Sequence, residues 1–162
     1  MKNLFFCFLI ALLPLSASAT APELDLKDMS GSEHQLSKYI GNGQWTVVVM
    51  WANDCEVCNA EIAGIDMFHE EFKDKNARIL GVSVDGSDKI DLARDFVKRH
   101  DLSFPNLIVE PDMKYIEKFG GGDFVGTPTF YIYTPEGEIV AAQAGGVPMN
   151  IIEDFIRDYK KK

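Results

Sequence analysis

Trp45-Thr46-Val47-Val48-Val49-Met50-Trp51 is apolar at every position except Thr46. The run is far shorter than the roughly 20 residues of a membrane span, and it lacks the polar alternation of a strand with one wet face. It reads as a strand covered on both faces, at the centre of a sheet that carries helices on each side. That requirement restricts the chain to an α/β architecture.

The rest of the chain supplies those layers. Glu23 to Met29 and His34 to Leu36 read as short strands around a turn at Ser30-Gly31-Ser32; Ser37 caps a helical turn through Ile40 that Gly41-Asn42-Gly43 ends. Beyond the apolar run, Ala60, Ile62, Ala63, Ile65, Phe68 and Phe72 recur at helical spacings and predict a helix from about Cys55 to Asp74. A second buried strand spans Ile79 to Val84, followed by a helix from Asp88 to Arg99. A short strand, Asn106 to Val109, then precedes a helix that Pro111 opens and Phe119 closes. Gly120-Gly121-Gly122 has no following Lys-Ser/Thr and is a turn, not a phosphate loop. Thr129 to Tyr133 and Glu138 to Ala142 form a hairpin about Pro135-Glu136-Gly137, with Phe130, Tyr131 and Tyr133 as packing residues. The last helix starts at Pro148, gathers Ile151, Ile152, Phe155, Ile156 and Tyr159 on one face, and ends in lysines suited to its negative pole.

The N-terminus stands apart from this pattern. Lys2, the apolar stretch from Leu4 to Leu15 and the small residues Ala17-Ser18-Ala19 have the form of a cleaved signal peptide over residues 1–19, which implies a periplasmic or secreted protein. The remaining residues, 20–162, suit one domain. A net charge of -9 argues against nucleic acid and anionic membrane surfaces as partners. His34, His69 and His100 have no metal-ligand spacing, and His69 and His100 read as solvent-facing. Neither a metal nor a cofactor is expected.

With Cys7 lost in the signal, Cys55 and Cys58 remain, at the junction of the apolar strand and the following helix. Positions i and i+3 share a face on a first helical turn, so the two sulfurs lie within bonding reach. The first sulfur also faces the unpaired N–H groups and positive pole of the helix, which favour its thiolate, whereas Cys58, one turn in, is shielded. Cys55 is therefore expected to exchange with substrate and Cys58 to resolve the mixed disulfide. A zinc site would need a second Cys or His pair, which the chain lacks. A structural disulfide closing so short a loop would constrain the unfolded chain little.

The strand ending in Trp51-Ala52, the Cys55-x-x-Cys58 pair and the later Thr127-Pro128 together resemble the thioredoxin fold, and more narrowly the secreted TlpA/ResA-like thiol-disulfide oxidoreductases, relatives of the AhpC/TSA redoxins. The likeness covers nearly all of residues 20–162, including the early extended segment, the Ser-x-Tyr-x-Gly stretch at Ser37 to Gly41 and a helix-strand-helix insertion over about Asp88 to Phe119. It implies a thioredoxin-like three-layer α/β sandwich. It also implies that Pro128 is a cis-proline beside the cysteines, with Thr127 presenting its backbone to the substrate chain. Trp51 and Gly145 would join the substrate-binding surface, and Glu61 would handle protons beside the cysteines. Protein thiols and disulfides would be the substrates of a monomeric protein, a membrane thiol transporter of the DsbD/CcdA kind its electron donor, and apocytochrome c one client.

Two positions depart from the family pattern. Asp54 stands where a second Trp precedes the first Cys, and Val49 stands where classical thioredoxins carry a buried Asp, which leaves Glu61 for that work. Asp54 and Glu56 oppose the helix pole, worth about 0.3 to 1 kcal/mol, and so predict a Cys55 close to an ordinary thiol. A weakly stabilised thiolate favours a reductase over an oxidase. Two other readings stay open. Val82-Ser83-Val84-Asp85 and Phe104-Pro105 resemble the peroxiredoxins, although Ala52 stands where their Thr would be. A metal-delivery module would use the two cysteines with a distant His, yet no His follows His100.

Overall fold

A computed structural model describes residues 21–159. The apolar run is strand β3 (Trp45–Trp51), buried along its whole length. The period of two divides its side chains between the faces of the sheet. Trp45, Val47, Val49 and Trp51 join one hydrophobic cluster, while Val48 and Met50 join the other. Helices α1 (Glu56–Phe72), α2 (Ile90–Arg99) and α4 (Met149–Tyr159) contribute to the first cluster. The second is closed by α3 (Met113–Ile116), the 3-10 turn Glu117–Phe119, and Leu24, Leu26, Leu36 and Ile40 of the N-terminal segment. This is the three-layer α/β arrangement that a doubly covered strand demands.

Strand β3 pairs in parallel with β4 (Ala77–Ser83) and antiparallel with β6 (Thr129–Tyr133), which pairs with the edge strand β7 (Ile139–Ala144). On the other side of β4 lie β5 (Asn106–Ile108), β1 (Asp25–Asp28) and β2 (Glu33–Gln35), giving the order β2-β1-β5-β4-β3-β6-β7. The helix-strand-helix insertion thus widens the sheet by one parallel strand, and the N-terminal segment pairs antiparallel with it.

Several expected boundaries shift. Cys55 is the N-cap of α1 and not its first residue. The 3-10 turn Leu36–Lys38 contains Ser37, and no side chain caps it. Pro111 does not open α3; Asp112 does, its Oδ1 accepting from Lys114 N at 2.9 Å and Tyr115 N at 3.3 Å. On α4, Ile152 and Ile156 are buried, but Ile151, one step around the helix, is 54% exposed. The expectation of a solvent-facing His69 is wrong. His69 is buried, and its Nδ1 accepts from Ile79 N at 3.1 Å. Gly81 N bonds to Pro105 O, so Ile79 N, two residues earlier on β4, points to the same side, where the short β5 has not yet begun. His69 supplies the acceptor that the missing strand would have given.

Among the described residues, no helix is long and apolar enough to cross a membrane. The signal segment, Cys7 and the terminal lysines lie outside the described residues.

Candidate active site

Residues 52–55 carry the chain from the C-terminal end of β3 into α1, and hydrogen bonds from distant segments hold them. Asp85, just past β4, accepts from Asn53 N at 3.0 Å and Asn53 Nδ2 at 2.6 Å, and is itself fixed by Ser83 Oγ at 2.6 Å. Asn59 Nδ2 donates to Cys55 O at 2.9 Å and to Asn53 O at 3.3 Å. The loop therefore delivers Cys55 to the helix end in an extended conformation, φ -80° and ψ 109°. From there its Sγ accepts from Cys58 N at 3.1 Å, in the manner of an N-cap.

Cys55 and Cys58 are joined in a disulfide with Cα atoms 5.2 Å apart. Cys55 is half-buried, whereas Cys58 is only 1% exposed. The difference follows from the helix: Cys55 sits at its open end, while Cys58 faces the core with Ile62 and Ile65, one and two turns on.

Glu61 follows Cys58 at i+3, and its Oε2 is shielded from solvent with no hydrogen-bond partner among the described residues. Gly146 makes room for this carboxyl, since a Cβ there would lie 2.0 Å from Glu61 Oε1. The Thr127–Pro128 peptide is cis. Thr129 pairs with Met50, which sets Pro128 beside the end of β3 from which the cysteine loop departs. Gly145 N donates to Pro128 O at 2.8 Å. Gly145 adopts φ +85°, which favours glycine, and is exposed, as Thr127 partly is.

Trp51 does not take the substrate-contacting place that the resemblance gave it. Its side chain is fully buried, its Nε1 donates to Asn106 Oδ1 at 3.1 Å, and its ring stacks on Phe96 at 4.3 Å. Gly81 admits that asparagine, because a Cβ there would lie 2.0 Å from Asn106 Oδ1. Trp51 is a support beneath the loop. His100 is not freely solvent-facing either. It is half-buried, its Nε2 lies 3.0 Å from Asn59 Oδ1, and burial together with Arg99 holds its pKa below the ordinary value. Burial, first among several causes, lowers His69 as well.

Sequence reasoning missed Asn53, Asp85, Asn59, His100 and Asn106. The one available signal was Asp85-Gly86 directly after a buried strand, at the sheet end where α/β proteins build their sites. Among the described residues, no group of three or more His, Cys, Asp or Glu could hold a metal ion.

Comparison with known proteins agrees with this geometry. The chain is similar to the thiol-disulfide oxidoreductase ResA of Oceanobacillus iheyensis, 28% identical over 144 residues that cover 85% of this chain and 70% of the relative. It is also similar to alkyl hydroperoxide reductase C of Mycobacterium tuberculosis, 34% identical over 118 residues, covering 68% of this chain and 60% of that protein. Among solved structures, the thioredoxin domain of a thiol-disulfide oxidoreductase from Bacteroides vulgatus superposes with a TM-score of 0.68 at 25% identity, covering 87% of this chain and 98% of that one. The fold is thioredoxin-like, and the protein is an oxidoreductase. The family model described as AhpC/TSA matches residues 17–142, and the chain belongs to the AhpC/TSA family.

Proposed function

We propose that the protein is exported and reduces disulfides of other proteins, with Cys55 as attacking thiol and Cys58 as resolving thiol. The observation that carries this reading is the asymmetry of the pair: Cys55 is half-buried at the helix end and Cys58 is 1% exposed. The Cys55 thiolate attacks one sulfur of a client disulfide, forming a mixed disulfide and releasing the other client sulfur as a thiol. The Cys58 thiolate then attacks Cys55 Sγ, releasing the second client thiol and closing the disulfide present in the structure.

Glu61 is the group we assign to take the Cys58 proton, being at i+3 and carrying a carboxylate oxygen without a partner among the described residues. Half-buried Thr127, which precedes Pro128, and exposed Gly145, whose N donates to Pro128 O, form the surface for the client chain. Residues 20–162 would act as one monomeric domain, reduced again by a membrane thiol transporter of the DsbD/CcdA kind, with apocytochrome c one client. The signal-like residues 1–19 support the compartment.

Replacing Cys58 with Ser and expressing the chain in its native compartment tests the reading. Mixed disulfides should accumulate on Cys55, and their partners name the client. Equal trapping by Cys58 in a Cys55→Ser variant, or no trapping at all, overturns it.

A thiol peroxidase is the second reading, favoured by the similarity to alkyl hydroperoxide reductase C. Ala52 in the place of the peroxidatic threonine weighs against it. Catalytic peroxide consumption, with hyperoxidation of Cys55 at excess peroxide, would move the assignment there.

A further inference from the structure

Asn59 makes more bonds to the reactive loop than a helix residue ordinarily does. Its backbone N donates to Cys55 O at 3.0 Å, the regular bond of a first helical turn. Its side-chain Nδ2 donates to the same oxygen at 2.9 Å and to Asn53 O at 3.3 Å. Asparagine is a weak helix former because its amide competes for backbone groups, and here that competition is aimed at the residue bearing the reactive sulfur.

The other end of the amide is held as firmly. Asn59 Oδ1 lies 3.0 Å from His100 Nε2 and 3.4 Å from Arg99 Nη2, both at the C-terminal end of α2. The carbonyls of Cys55 and Asn53 can only accept and the Arg99 guanidinium can only donate, so the amide NH2 group faces the loop, its oxygen faces α2, and His100 Nε2 is the nitrogen that carries the proton. His100 is fixed in turn, its ring 4.6 Å from Phe96, which stacks on Trp51 at the end of β3.

We infer that Asn59 is a positioning residue for Cys55 and that His100 orients it, so that an asparagine amide tied to α2 tunes the reactive thiol. The inference rests on the reading of Cys55 as the attacking thiol. Two donors on Cys55 O hold the peptide that keeps Sγ against Cys58 N, a backbone donor able to stabilise the thiolate. They also draw electron density from the carbonyl beside that sulfur. Without the side-chain donor the Cys55 peptide is freer to turn, and the thiolate loses part of its support.

The test measures the rate of iodoacetamide alkylation of Cys55 against pH, in a Cys58→Ser chain with Cys7 also replaced by Ser. Asn59→Ala should slow alkylation at pH 6.5 about fivefold, the weight of one ordinary hydrogen bond, and shift the midpoint upward. His100→Phe keeps a ring on Phe96 but removes the donor, and should slow it about two- to threefold in the same direction. His100→Gln, which restores an amide N–H, should recover most of the parent rate. A purely structural role would lower the melting temperature and leave the alkylation midpoint in place. Parent-like profiles in both Asn59→Ala and His100→Phe overturn the inference, as does a His100→Gln variant no faster than His100→Phe. If Cys55 of the parent is not alkylated at any pH while the chain is folded, the attacking role itself fails, and this inference with it.

Discussion

Glu61 and His69 lie on the same helix, eight residues apart, and both carry polar atoms out of reach of water, yet the fold treats them in opposite ways. His69 Nδ1 has a partner, the Ile79 N–H that the short β5 leaves uncovered. Glu61 Oε2 has none among the described residues and sits beside the room that Gly146 provides. A buried polar atom without a partner costs about 1 to 3 kcal/mol, so the arrangement at Glu61 lowers stability where that at His69 raises it. The difference teaches that α1 uses its far end to hold the sheet and leaves a carboxyl oxygen unpartnered one turn after Cys58, where the proposed mechanism has it take a proton.

The largest effect expected from this contrast is catalytic. Glu61→Gln should lower the rate of client disulfide reduction about 100-fold, the lower range for losing a general base, without reducing stability. A stable variant with undiminished activity would remove Glu61 from the mechanism. His69→Leu should do the converse, costing about 1 to 3 kcal/mol in chemical denaturation by leaving Ile79 N unpaired while turnover of the folded protein stays near normal. Equal losses of activity in both variants would erase the distinction. Gly146→Ala comes next: the new methyl must push the Glu61 carboxyl aside, and activity should drop several-fold, more than stability does.

The smallest effect concerns pH. Burial holds His69 below its ordinary pKa of about 6.5, so the unfolded chain binds the proton first as the solution is acidified. The neutral imidazole therefore contributes stability above about pH 6.5, and that contribution is lost as pH falls toward the lowered folded value. His100, also lowered, adds in the same direction. In His69→Asn, whose Oδ1 can still accept from Ile79 N, the decline in unfolding free energy between pH 7.5 and 5.5 should be shallower than in the parent. An identical slope would assign the titration elsewhere.

The elements that repeat a simple period were legible in the sequence. β3 declared itself because a strand covered on both faces cannot afford polar alternation, and the Cys55/Cys58 pair because its spacing on a first helical turn leaves few other chemistries. What could not be read were contacts set by tertiary approach. Asn53 meets Asp85 across 32 positions and His100 meets Asn59 across 41, and neither spacing leaves a local signature. Trp51 was misplaced for a related reason: a tryptophan at a strand end beside the site looks available to substrate until Phe96 and Asn106 are seen to enclose it. His69 was misjudged because its partner exists only through the shortness of β5, a property of the sheet and not of the helix that carries the histidine.

The claim on which the account turns is that a half-buried Cys55 and a shielded Cys58 form a reducing pair, with Asp54 and Glu56 offsetting the helix pole. The reduction potential of the Cys55–Cys58 couple, measured against a glutathione redox buffer, tests it most directly. The account predicts a value on the reducing side, near the roughly -270 mV of thioredoxin. A value at or above about -130 mV, in the range of DsbA, would contradict it and make the protein an oxidant of its clients.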